Sequence, residues 1–521
     1  MTLSALPPFR NEPYTDFTQP AARKAMEEAL ALVRSQFGRT YWPWIGGERR
    51  ELPATFASYN PSRPSEVVGL HGKGTAEDAR DAVEAAYAAF PAWARTPAEA
   101  RVRTLFRAVE ILKRRKFEFN AWLTLEAGKS WNEAEAETAE AIDFCDYYAR
   151  LMLRHATPEP LVQMPGERGH LRYLPLGVGI VIPPWNFPLA ILAGMTVASL
   201  VAGNTVVIKP SSDTPTIAAK FVEVLAEAGF PGDAYQFLPG AGAAVGDTLV
   251  AHAKTRFISF TGSKAVGLHI NRLAAETQPG QIWIKRVIAE MGGKDAIVVA
   301  DDADLDAAAS GILAAAFGFQ GQKCSACSRA IVDAKVYDAI VERLAAGVAK
   351  LTVGPADDPA NYMGPVINAG AKKTILEYIE RGKKEGRLIA GGSAMPGLDG
   401  HFIQPTIIAD IERTATIFRE EIFGPVLAVT KARDFDQALA LANDSEYGLT
   451  GALYSADPAR LRRAEDEFFV GNLYLNRKCT GAMVGCHPFG GFNMSGTDSK
   501  AGGPDYLLQF LQAKSIAERI L

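Results

Sequence analysis

Cysteine is scarce in this chain: there are five in 521 residues, an odd number. That argues against a disulfide framework and predicts a reducing compartment. The seven histidines are scattered, with no paired His/Cys spacing, so no metal centre is expected. Long apolar runs are absent. The most apolar stretches, Leu176–Pro184 and Met195–Val207, are broken by Gly, Pro or Asn. Neither reaches the roughly 20 apolar residues of a membrane span. The N-terminal stretch MTLSALPPFRNEPYTDFT has no basic region followed by an apolar core, so neither a signal nor a transit segment is expected, and the location is expected to be cytoplasmic. Neither sign of charge dominates: 55 basic and 59 acidic residues leave a net charge of −4. A nucleic-acid partner is therefore not expected, and neither is a membrane.

What is present is ordinary globular composition, 48% hydrophobic and 22% charged. A chain of 521 residues exceeds one hydrophobic core, so at least two domains are expected. Short apolar runs alternate with helical patterns. Val178–Ile182, Thr205–Lys209, Tyr235–Leu238 and Arg256–Phe260 read as strands. Val102, Leu105, Val109 and Leu112 recur at helical spacing, as do Ile217, Phe221, Val224, Leu225 and Ala228. Further on, Asp295–Ala300 and Arg329–Ala334 read as strands around a helix over Leu305–Phe317, and another helix is predicted over Val336–Leu351. This alternation predicts two doubly wound α/β domains meeting near Glu290–Lys294. The Pro/Gly-broken segment Thr157–Arg172 interrupts the first, as a loop or a hairpin arm, and the apolar tail Asp505–Leu521 needs a partner surface.

Several short segments carry chemistry. PGAGAAVG (Pro239–Gly246) lies between strand and helix, but its glycines are one residue longer in spacing than the dinucleotide fingerprint. FTGS (Phe260–Ser263) is a second strand-to-helix turn, and helix N-termini attract phosphate. Cys324 and Cys327 form C-x-x-C inside FGFQGQKCSACSR. A dithiol of the thioredoxin type belongs after a strand at a helix start. This pair follows a helical pattern and precedes a strand, and two small buried thiols are the bland reading. PPWNFP (Pro183–Pro188) brings the amide of Asn186, and EMGGK (Glu290–Lys294) brings a carboxylate beside two glycines. EEIFGP (Glu420–Pro425) adds another acidic, turn-bounded loop. Singly, each suits an ordinary turn; together they supply a thiol, an amide, a carboxylate and a nucleotide turn.

In order and spacing these segments resemble the NAD(P)-dependent aldehyde dehydrogenase superfamily from about Tyr41 onward. The matching stretches are PPWNFP, GNTVVIKPS, FTGS, EMGGKD, FGFQGQKC, EEIFGPV and HPFGGFNMSG, with 34 positions from Glu290 to Cys324. The resemblance implies the aldehyde dehydrogenase fold: two Rossmann-like doubly wound domains with a β-hairpin oligomerisation arm. The implied division is an N-terminal extension at 1–40, an NAD-binding domain at 41–156 and 173–289, an arm at 157–172 and 505–521, and a catalytic domain at 290–504. It implies Cys324 as nucleophile, with Cys327 left as a packing residue. Asn186 and the Cys324 backbone N–H stabilise the oxyanion of a thiohemiacetal, and Glu290 is the general base that hydrolyses the thioester. For the cofactor it implies Pro184 and Trp185 beside the site, Lys209 on the adenosine ribose, Gly240 near the adenine, and Ser263 with the Gly262 backbone on the pyrophosphate. Glu421 takes the nicotinamide ribose, and Phe423 packs near the nicotinamide. Many NAD-preferring members carry Glu at the position of Ser212; a serine does not repel a 2′-phosphate, so NAD ranks first with NADP left open.

Four stretches bring the chain nearest to the branch that oxidises L-glutamate γ-semialdehyde: PFRNEP (Pro8–Pro13), AEAIDFCDYYAR (Ala139–Arg150), GFQGQKCSA and NRKCTGAMVGCHPFGG (Asn476–Gly491). The resemblance then implies that Ser325 and the Gly481–Ala482 loop bind the substrate α-carboxylate. Glu140 meets the ammonium and Phe489 packs on the aliphatic chain. The alternative is another small aldehyde, such as succinic semialdehyde. A homodimer or larger homo-oligomer is implied, with proline oxidation left to a separate proline dehydrogenase.

Overall fold

The computed structural model describes residues 6–520. The first five residues and Leu521, at the outer ends of the expected extension and arm, lie outside the described residues. Two seven-stranded sheets organise the chain. The first runs Arg286–Glu290, Thr255–Thr261, Val178–Ile182, Thr205–Ile208, Tyr235–Phe237, Trp44–Ile45, Glu48–Arg49. Its first five strands are parallel; the last two join antiparallel. The second runs Arg387–Ala390, Thr406–Ala409, Val426–Ala432, Cys327–Asp333, Asp295–Val299, Thr450–Tyr454, Asn472–Leu475. Only its first pair is antiparallel.

Strand alternation explains how each sheet is sandwiched. Val181, Val206 and Ile208 face one core, while Val178, Ile180 and Val207 face another. In the second sheet Ala296 and Val298 face one side and Ile297 and Val299 the other. A side-chain period of two sends successive residues to opposite faces, so both faces must be apolar. The helix Ala98–Arg114 buries Val102, Leu105, Val109 and Leu112, the predicted stripe. The helix Leu305–Phe317 begins at Asp304, whose carboxylate accepts from the N–H groups of Asp306 and Ala307.

The Pro239–Gly246 turn departs from expectation. It does not open an α-helix directly; Gly242–Gly246 forms one π-turn, closed by the Asp247 N–H on the Gly242 carbonyl, before the short helix Asp247–Ala251. The longer glycine spacing is accommodated by that wider turn. The strand Glu167–Pro175 pairs over nine residues with Leu511–Arg519, and Glu159–Pro160 pairs on its other edge. Between the second sheet and this arm, Tyr506, Leu507 and Phe510 are buried in the core beside the first sheet. Among the described residues no helix is long and apolar enough to cross a membrane.

Candidate active site

In the first sheet the chain runs from Val178–Ile182 outward on one side, then returns to place Thr255–Thr261 on the other. The carboxyl ends of these two neighbours form the switch point where α/β folds collect ligands. Pro183–Asn186 follows the first strand and Gly262–Ser263 the second. Glu290 ends the adjoining strand, and its backbone carbonyl accepts from the Gly262 N–H at 3.1 Å. A side chain at Gly262 would strike the Phe260 ring, 2.6 Å from an added Cβ.

Cys324 sits half-buried on the loop that enters the strand Cys327–Asp333 of the other sheet. The preceding turn, Gly318–Gly321, holds Phe319, Gln320 and Gly321 in succession at φ 48°, 57° and 68°. Two non-glycine residues at left-handed φ store strain that the surroundings must hold. The Gln320 amide donates to the carbonyls of Gly128 and Pro365 at 3.1 and 2.7 Å. At Gly321 an added Cβ would lie 2.4 Å from the Gly424 carbonyl oxygen, so this position needs glycine for space as well as for φ. Gln322 accepts from the Ile367 N–H at 2.9 Å, and its own carbonyl accepts from the buried Asn186 amide at 3.0 Å. Asn186 thus spends one amide hydrogen on the Cys324 loop and keeps the other for a ligand.

Electrostatics set the protonation states. Burial, and then the carboxyls of Asp295, Glu421 and Glu290, push the Cys324 thiol up. Glu290 is pushed up to about 7, chiefly by burial. Its Oε1 accepts from the Ser499 hydroxyl at 2.6 Å, and its Oε2 from the Gly491 N–H at 3.1 Å. Those bonds partly offset the burial and hold the carboxyl beside the cavity.

That cavity, about 170 Å³, is lined by Cys324, Ser325, Glu290, Glu140, Gly481, Ala482 and Phe489. All five residues expected on the substrate therefore share one wall system with the thiol and the carboxyl. Glu133, Ala136, Glu140 and Asp143 line it from the helix Trp131–Ala156, a single stripe at spacings of three and four. Burial pushes Glu140 up to about 8, with Glu137 adding to it. Ser325 is buried, and its carbonyl accepts from the Thr450 hydroxyl and the Cys479 thiol, each at 3.4 Å. Cys327 is buried in the core of the second sheet, away from the cavity wall.

Residues expected on the cofactor lie in a different neighbourhood. The Lys209 ammonium is buried, donates to the Pro210 carbonyl at 3.2 Å, and is pushed down to about 8 by burial. It has donors left over for a hydroxylated ligand. Gly246 approaches its side chain, with an added Cβ 3.7 Å from Cδ. Gly240 is buried, and the space a Cβ needs there is filled by Val245. Ser212 and Ser263 are exposed, and Ser263 caps the helix Lys264–Ala275 through the Val266 N–H. Glu421 accepts from the Gly293 N–H at 3.0 Å through one oxygen, and burial pushes it up. The Phe423 ring, on a backbone at φ 56°, meets the Trp185 ring edge-on at 5.4 Å; Pro184 is buried beside it in sequence. A buried ammonium with one backbone partner, a solvent-facing helix N-terminus and a half-buried carboxyl that uses one oxygen on Gly293 fit a dinucleotide. Among the described residues no group of three or more His, Cys, Asp or Glu is placed to hold a metal ion.

Motif reading missed the charges beneath the site. Lys129 is fully buried, 2.8 Å from Glu137, with its ammonium 3.7 and 4.1 Å from the Phe187 and Phe319 ring centres. Glu137 accepts from the N–H groups of Leu189 and Ala190, at the start of the helix Ala190–Ala202 that follows Asn186. Lys323, next to Cys324, pairs with Glu133 at 2.7 Å. The only signal for these was the three-and-four spacing of acids along one helix.

The family model for the aldehyde dehydrogenase family matches residues 48–516. A 1-pyrroline-5-carboxylate dehydrogenase from Geobacillus kaustophilus (strain HTA426) is 58% identical over 98% of this chain and 99% of its own length. The crystal structure of 1-pyrroline-5-carboxylate dehydrogenase from Thermus with bound NAD superposes with a TM-score of 0.97, at 50% identity, covering 99% of this chain and all of that one. Proline utilization A from Bdellovibrio bacteriovorus matches with a TM-score of 0.97 and 46% identity, covering 99% of this chain but 53% of the larger protein.

Proposed function

This chain belongs to the aldehyde dehydrogenase family, and from that premise we propose that it oxidises L-glutamate γ-semialdehyde to L-glutamate with NAD. The semialdehyde is the ring-opened, hydrated partner of 1-pyrroline-5-carboxylate, the compound in the names of its relatives. One observation carries the reading. A single cavity joins a thiol and a raised carboxyl to groups for both charges of an amino-acid substrate, Glu140 and the Gly481–Ala482 loop.

In the proposed reaction Cys324 gives its proton to solvent water, and the thiolate attacks the aldehyde carbon, giving a thiohemiacetal. The free Asn186 hydrogen and the Cys324 backbone N–H hold the oxyanion; a donor of this kind is worth about 3–4 kcal/mol. Bound NAD supplies the hydride acceptor. Lys209, Gly240, Gly262, Ser263, Glu421 and Phe423 position it, with Pro184 and Trp185 walling the site. Exposed Ser212 leaves the 2′-position unopposed, so NADP is a weaker alternative rather than an excluded one. A thioester remains on Cys324. Glu290, poised near neutrality, takes a proton from the water that hydrolyses it. Ser325, with the Gly481–Ala482 backbone, holds the α-carboxylate, Glu140 the ammonium, and Phe489 the aliphatic chain.

The assigned domains are 41–156 with 173–289 for NAD and 290–504 for catalysis, with 157–172 and 505–521 as the arm. The strand Glu167–Pro175 and its partner Leu511–Arg519 suit pairing with a second copy, hence a homodimer or larger. A reducing cytoplasm suits five unpaired thiols. The match to part of proline utilization A supports a functional link to a separate proline dehydrogenase.

Steady-state turnover of glutamate semialdehyde, succinic semialdehyde and propanal, with NAD and NADP in parallel, tests the reading. Glutamate semialdehyde with NAD should give the highest kcat/KM. Equal turnover of succinic semialdehyde would overturn the substrate assignment.

A further inference from the structure

The segment before the first helix has no regular secondary structure between Pro7 and Asp16, yet it is fastened along its length. The Glu12 N–H donates to Asp143 at 2.7 Å and the Thr15 N–H to Glu135 at 2.7 Å. Lys116 donates to the Pro13 carbonyl at 2.8 Å, and Arg150 donates to the Pro7 carbonyl. The Phe9 ring meets Tyr147 edge-on at 5.1 Å and fills the space over Gly485, where an added Cβ would lie 3.1 Å from it.

Asn11 is the centre of this fastening. Its amide nitrogen donates to the Asp143 carboxylate at 2.8 Å and to the Val484 carbonyl at 2.9 Å. Its amide oxygen accepts from the Cys486 thiol at 3.5 Å. Asp143 lies on the helix that carries Glu140, three residues further on. Val484 lies three residues after Gly481. One side chain therefore ties the helix with the cavity's acidic stripe to the loop opposite it, across 132 and 473 positions of sequence. Asp143, Val484 and Tyr14 all line the cavity. Tyr14 is 59% exposed, which puts its ring at the mouth.

We propose that residues 8–14 form the outer wall of the substrate cavity, and that Asn11 is a positioning residue setting the gap between Glu140 and the Gly481–Ala482 loop. The wall thereby selects aldehydes carrying an amino-acid head group of fitting length. An aldehyde without ammonium and carboxylate needs neither side of the gap and gains nothing from its width. A covering assembled from the chain's own start has no backbone ladder to define it, so its geometry depends on these side-chain ties. The inference rests on the substrate reading above.

The test compares wild type, Asn11→Ala and Tyr14→Ala in the full chain. For each, kcat/KM is measured on glutamate semialdehyde and on propanal, with the thermal midpoint recorded. Loss of the three side-chain hydrogen bonds at Asn11 should lower the semialdehyde-to-propanal ratio about tenfold. The effect should lie in KM for the semialdehyde rather than in kcat. Tyr14→Ala, at an exposed position that does not threaten folding, should lower the same ratio about threefold. It decides the matter alone if Asn11→Ala does not fold. A purely structural role would lower the midpoint or both activities together and leave the ratio unmoved. No preference for the semialdehyde in wild type overturns the substrate reading and this inference with it. A wild-type preference that the folded variants retain within twofold overturns this inference alone.

Discussion

At the residue scale, the two cysteines of C-x-x-C part company. Cys324 faces the cavity, and Cys327 points into the core of the second sheet. Cys324→Ala should abolish aldehyde oxidation in a steady-state assay. Cys327→Ala removes one buried sulfur, so it should cost about 1 kcal/mol of unfolding free energy and leave kcat/KM near wild type. Glu290 makes a pH prediction whose sign follows from its environment. Burial favours the neutral acid, and only the carboxylate can take a proton from water. Turnover should therefore rise with pH through a midpoint near 7, falling about tenfold per unit below it. In Glu290→Gln the acid limb should vanish from the kcat profile and the thioester should accumulate, visible as a burst of NADH followed by a stall. Ser212→Glu introduces a charge at an exposed position. It should raise the KM for NADP about tenfold through repulsion of the 2′-phosphate, while the KM for NAD stays within about twofold.

At the element scale, the helix Ala190–Ala202 depends on a partner from elsewhere. It has no capping side chain of its own, and Glu137 accepts from the N–H groups of Leu189 and Ala190. Lys129 balances that carboxylate in full burial. Glu137→Ala leaves a buried ammonium unpaired and two amides unsatisfied. Breaking a buried pair in this way costs about 3–5 kcal/mol, measurable as a lower denaturant midpoint. Reading elements from sequence succeeds where apolar periodicity is strong. Val178–Ile182 and Leu305–Phe317 have the bounds their patterns predict, and Thr205–Ile208 and Asp295–Val299 end within a residue. Glu137, in a helix, and Lys129, in the loop before it, defeat the same reading, because a charged residue looks like solvated surface whether or not other elements cover it.

At the scale of the whole molecule, the strand Leu511–Arg519 lies 336 or more residues from its partner Glu167–Pro175 along the chain. Deleting residues 511–521 strips one edge from that sheet and exposes an unpaired strand. Size-exclusion chromatography with light scattering should then show loss of the proposed dimer, or aggregation. Local structure and the chemical inventory are legible in the order of residues alone. Apolar alternation specifies strands for buried parallel sheets, and the glycines at 262 and 321 stand where nothing larger fits. The motifs supplied the thiol, the amide, the carboxyl and the strand-to-helix turn at Gly262–Ser263. The tertiary structure alone decided which groups share a space and in what protonation state. Glu290 is raised toward neutrality by burial, and burial is a property of what packs around a residue rather than of the residue. Asn11 joins Asp143 to Val484 only because two distant segments have already folded to within reach of one side chain. Sequence patterns report neighbours three or four residues apart; contacts across hundreds of residues are set by how the sheets and helices pack.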